Sequence, residues 1–153
     1  MSLAHIHPML VHFPIVLWLL AVACQCLVVL RGESFERRRS WQQASLWLLA
    51  LGTLGGAVAA GFGDVAMDIA KEKGFPTAPI EAHEGLAMTT LTLFGVLTLV
   101  QAVIYWRRIT LNRVLSWVVP IAGLVGIALM LMTAEHGGEL VYEIGVNVAA
   151  VQP

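Results

Sequence analysis

The stretch MLVHFPIVLWLLAVACQCLVVL, residues 9–30, decides the fold, because 22 consecutive positions carry no Asp, Glu, Lys or Arg. About 20 apolar residues in a helix cross a hydrocarbon core of about 30 Å. Charge-free runs of similar length recur at 40–63, 85–106 and 114–134. None shows the polar stripe that a helix buried in a small soluble domain needs. The expectation is an all-α integral membrane four-helix bundle in one domain, with spans at about 9–30, 42–63, 85–106 and 114–134.

Composition points the same way. Of 153 residues, 58% are hydrophobic and 12% charged, where soluble domains carry about 45–50% and about 25%. Nine Lys/Arg against ten Asp/Glu give a net charge of −1. That leaves no basic surface for a nucleic-acid partner and excludes a disordered tail or an ordinary cytosolic enzyme. The first run reads as a retained span. MSLAHIHP has no Lys or Arg, and the apolar run exceeds the roughly 7–15 residues of a signal peptide.

Cations set the expected orientation. Arg31, Arg37, Arg38 and Arg39 fall between the first two spans, and Arg107, Arg108 and Arg113 between the last two. The other side has Lys71 and Lys73, diluted by Asp64, Asp68, Glu72, Glu81 and Glu84. The positive-inside rule then puts both termini outside, which in a bacterium means the inner membrane with periplasmic ends. Trp41, Trp106 and Trp117 mark an interfacial belt on the Arg side.

The histidines are the sharpest chemical signal. His5, His7 and His12 enter the first span, His83 enters the third and His136 leaves the fourth, so all five reach the outer face and none the Arg loops. Ionisable residues at membrane depth are functional candidates by default, and neutral imidazole ligates iron, copper and zinc. Two imidazoles from facing helices can hold a haem b in a bundle core. First and third helices are diagonal in an up-down bundle, so His12 and His83 are the expected axial pair, with His136 and His7 in reserve. Tyr142 and Glu139 are expected to assist by hydrogen bonding. His5 sits on a free end that rarely holds ligand geometry. With no histidine on the Arg side, one haem level is the most expected.

Competing readings use the same residues. The second-span glycines Gly52, Gly55, Gly56, Gly61 and Gly63, with Gly123 and Gly126 in the fourth, make room for a macrocycle or simply let helices approach closely. A cofactor-free accessory or assembly subunit would use them in the second way. A copper or zinc site could add Asp64, Asp68, Glu81, Glu84 or Glu135, but their spacing matches no H-E-x-x-H or E-x-x-H pattern. Cys24 and Cys26, two apart on one helix, read as packing residues. No nucleophile elbow, P-loop or dinucleotide fingerprint occurs. No charge sits at mid-membrane, against an ion pump. Residues 64–73 read as a separate short surface helix ended by Gly74. Gly137 and Gly138 read as a helix stop, and 139–148 as an extended tail folding back as a lid. The expected partners are the lipid bilayer and redox or complex subunits, with an oligomer left open.

Two strings, HPMLVHFPIVL at 7–17 and GGELVYEIGVNV at 137–148, resemble the opening and closing motifs of DUF2231, a family of predicted bacterial four-helix membrane proteins. The resemblance covers nearly the whole chain. It implies inner-membrane proteins suspected of redox roles, and it matches His7, Pro8, His12 and Pro14 at one end and Gly137, Gly138, Leu140, Val141, Tyr142, Gly145 and Val148 at the other. His83 and His136 also look like family positions. Asn147 stands where a glycine is expected.

Overall fold

A proline divides the first span. In the computed structural model, which describes residues 6–32 and 40–148, α1 (Ile6–Leu10) and α2 (His12–Leu30) are separated only by Val11. Pro14 has no N–H to give Leu10 and its ring crowds that carbonyl, so the chain breaks there and resumes. The backbone bonds from Val11 to His7 (3.1 Å) and from Ile15 to Val11 (3.3 Å) still bridge the break. Next come α3 (Ser40–Glu72), α4 (Thr77–Arg107), a 3-10 turn at Leu115–Trp117 and α5 (Val118–Tyr142). Four helical stretches, Ile6–Leu30, Trp41–Glu72, Thr77–Arg107 and Leu115–Tyr142, are long and apolar enough to cross a membrane. No strand occurs among the described residues.

Two expectations fail at the end of the bundle that carries the histidines. Residues 64–72 are no separate surface helix but the last turns of α3, which at 33 residues is about 50 Å long and outruns the hydrocarbon core. Nor is the tail extended. Gly137 and Gly138 do not stop α5, which continues to Tyr142, because their φ values stay helical and their neighbours supply i−4 acceptors. Beyond it the chain turns, with Val146 N–H on the Leu140 carbonyl at 2.8 Å and Gly145 at φ 75°. Ile144 and Val146 then pack on Ala70, Ile80 and Leu140, so the tail does fold back over this pole. Asn147 takes φ 59°, the left-handed conformation that glycine adopts freely and asparagine tolerates best among the rest.

Each helix neighbours the next, and α2 also packs on α5, which closes a four-cornered bundle with α2 diagonal to α4. The diagonal is filled by Trp18 stacked on Phe94, with centroids 4.2 Å apart and planes within 7°. Ala21, Val22, Leu49, Leu97 and Met130 complete this core. The glycines resolve toward packing. A Cβ on Gly52 would lie 2.7 Å from the Trp18 ring, and one on Gly126 would lie 2.8 Å from Phe94. Gly52 and Gly56 of α3 and Gly126 of α5 therefore receive aromatic rings from α2 and α4. Cys24 is buried and Cys26 half-buried, both free thiols in the packing.

Several polar side chains inside the bundle pair with one another, as is favoured where water is absent. Gln25 of α2 donates to Gln101 of α4 at 3.5 Å, and the Ser45 hydroxyl meets the Gln101 amide at 3.1 and 3.3 Å. At the opposite pole from the histidines, Arg31 lies over the Trp41 ring at 5.3 Å. Trp41, Trp106 and Trp117 are all exposed there, in the arrangement an interfacial belt requires. Arg37, Arg38 and Arg39 lie outside the described residues.

Candidate functional site

His7 reaches across from α1 to α3. Its Nδ1–H donates to the Ala59 carbonyl at 2.7 Å, and its ring lies on Gly63, where a Cβ would stand 3.1 Å from Cε1 and Nδ1. His83 does the same from α4 to α5. Its Nδ1–H donates to the Thr133 carbonyl at 3.0 Å, and its ring lies on Gly137, where a Cβ would stand 3.0 Å from Cε1. Thr133 is clamped twice, since its hydroxyl also meets that of Thr90 at 3.1 Å. The two rings meet across the bundle in a T-shaped arrangement, centroids 6.4 Å apart and planes at 86°.

A carbonyl only accepts, so each of these contacts places a proton on Nδ1; in a neutral ring Nε2 then carries the lone pair. That tautomer is the one a metal needs, and a backbone carbonyl behind the ring is the usual way of holding it. No described protein group hydrogen-bonds to Nε2 of either ring.

The expected pair was His12 and His83. The structure instead brings His7 to His83. His12 is exposed on α2, because five residues at 3.6 per turn rotate it about 140° from His7. His136 is half-buried, and its Nδ1–H donates to Met132 of its own helix at 3.0 Å. It does not join the pair as a third donor. Tyr142 is 89% exposed and Glu139 is exposed, and neither hydrogen-bonds to the histidines. His5 lies outside the described residues. Asp64, Asp68, Glu84 and Glu135 form no cluster with the rings, and Glu81 pairs with Lys71 at 3.9 Å. Among the described residues no three His, Cys, Asp or Glu side chains are grouped to hold one metal ion. Reading the sequence for single histidines missed what Gly63 and Gly137 do; a glycine at the level of each ring was the available signal.

A groove of about 470 Å³ lies against Met88, Thr89, Thr92, Leu93 and Val96 of α4, away from the ring pair. The family model described as "predicted membrane protein (DUF2231)" matches residues 4–150. No curated protein and no solved structure matches the chain.

Proposed function

The chain belongs to the DUF2231 family of predicted membrane proteins, and from its ring pair we propose that it is a haem-binding redox protein of the cytochrome b kind, with His7 and His83 as the axial ligands. The separation of the rings carries the reading. Two imidazoles that held one metal through bonds of about 2.0–2.1 Å would stand with their ring centroids about 6 Å apart. The rings here are 6.4 Å apart, each with Nδ1 tied back to a carbonyl. Haem supplies a one-electron couple whose potential the axial ligands and their hydrogen bonds set. The chain's part is to hold both Nε2 lone pairs in place and to carry the site in a bilayer.

One observation favours a second reading, a bare copper(I) ion. Two imidazoles already satisfy a linear copper(I) centre, and the absence of a three-donor group among the described residues disfavours zinc, which wants four ligands. Absorption and elemental analysis of the purified full chain decide. A Soret band with a reduced α-band and one haem per chain is the expected result. A colourless protein with one copper per chain supports the copper centre. A protein with neither is an accessory packing subunit, and the proposal is then wrong.

We also propose that the histidine pole faces the periplasm of a bacterial inner membrane, supported by the cation bias of the sequence, in which seven of nine Lys/Arg fall between the first two or the last two spans. A reporter active only in the cytoplasm, fused after Pro153, stays silent in this orientation; strong activity reverses it.

A further inference from the structure

The two histidine sockets repeat each other. Each ring lies on a glycine of the span that follows its own, Gly63 of α3 or Gly137 of α5. Each Nδ1–H goes to the carbonyl four residues before that glycine, Ala59 or Thr133. The repetition continues down the bundle. Eleven residues past His7 comes Trp18, seated on Gly52; eleven past His83 comes Phe94, seated on Gly126. Those two glycines lie eleven residues before Gly63 and Gly137. Seven residues further on, Gln25 and Gln101 occupy matching places.

The register is constant. A shift of 76 positions carries Gln25 onto Gln101, His7 onto His83 and Trp18 onto Phe94. A shift of 74 carries Ala59 onto Thr133, Gly63 onto Gly137 and Gly52 onto Gly126. In three of these pairs each residue touches its own counterpart: the histidine rings at 6.4 Å, the aromatic stack at 4.2 Å and the amides at 3.5 Å. A residue meets its own equivalent only on a two-fold axis, and three such meetings at three levels trace that axis along the bundle. The same relation explains an orphan. Ser45 satisfies Gln101, but the position matching Ser45 is Val119, and the buried Gln25 Oε1 has no partner.

We infer that the bundle is a helix hairpin present twice, α1–α3 and α4–α5, and that the histidine site lies on its pseudo-two-fold axis, taking one metal centre between two equivalent imidazoles. The ligand class is a single metal centre, haem iron or a two-coordinate ion, that His7 and His83 would hold equally, rather than a lopsided histidine-carboxylate shell. The metal part rests on the function proposed above; the duplication does not.

Two measurements on the full chain test it. The first needs no ligand. Thermal midpoints in micelles are compared for Trp18→Phe, Phe94→Trp and the double exchange, which rebuilds the same stack with its partners reversed. Equivalent halves require the double variant to regain most of the midpoint lost by the worse single; losses that simply add overturn the duplication. In the second, His7→Ala and His83→Ala are each reconstituted with haem and titrated with imidazole. Equivalence requires equal loss of the six-coordinate spectrum and its return at the same imidazole concentration in both. Loss in only one variant makes the site one-sided and overturns the inference while haem binding stands. A wild-type chain that takes up no haem removes the haem reading alone, and the exchange experiment still decides the duplication.

Discussion

If the proposed site takes haem, the substitution Gly137→Val is expected to weaken its binding about 10- to 100-fold with His83 still in the chain, the range seen when groups that hold a metal ligand are altered. A side chain at 137 begins with a Cβ 3.0 Å from His83 Cε1. The ring has to leave the backbone of α5, and with it the Thr133 carbonyl that fixes its tautomer. Gly63→Val acts in the same direction on His7, where the Cβ would lie at 3.1 Å. His12→Ala, at an exposed position, leaves binding unchanged. Haem titration of the three purified variants checks this. Wild-type affinity in Gly137→Val would mean that the socket does not hold the ligand.

Phe94→Ala gives the largest loss of stability. Phe94 is fully buried, stacked on Trp18 and fitted to Gly126. Such changes cost about 3–5 kcal/mol in water-soluble cores. Membrane helices separate into lipid tails and not into water, so the transfer share shrinks and about 2–3 kcal/mol remains, mostly the cavity. Gly126→Ala errs the other way, forcing a methyl to 2.8 Å from the Phe94 ring, and costs about 1–3 kcal/mol by overpacking. Unfolding in mixed micelles measures both. A stability within 0.5 kcal/mol of wild type, the range of surface substitutions, in either variant would show that this level of the bundle is loosely filled.

The spans were legible because a bilayer demands about 20 apolar residues whatever the neighbours do. The site was half legible. His83 stood out, but its partner depended on register, which a lone histidine does not announce. Register was nevertheless present in the sequence. Pro14, Trp18, Ala21, Gln25 and Val28 form the buried stripe of α2, and stepping back seven from Pro14 lands on His7, whereas His12 falls off the stripe. In α4, Thr90, Phe94, Leu97 and Gln101 are buried on one stripe, and the same step from Thr90 lands on His83. What defeated the tail was period. Leu140, Tyr142, Ile144, Val146 and Val148 alternate as a strand would, yet alternation alone is weak over so few residues, and α5 simply runs on to Tyr142.

The excess length of the helices fixes the surroundings of the rings. Counting about 20 residues of hydrocarbon back from Leu30 reaches about residue 11, and from Trp106 about residue 87, at 1.5 Å per residue. By that count His7 and His83 both fall about four residues, or about 6 Å, beyond that boundary, which would place them in the layer where lipid phosphates, dissolved salt and water mix. Charge appearing on the pair is screened there by mobile ions, over a Debye length of about 8 Å at physiological ionic strength. Under the proposed redox function, a donor or acceptor dissolved on that side would meet the pair across headgroups, with no hydrocarbon in between.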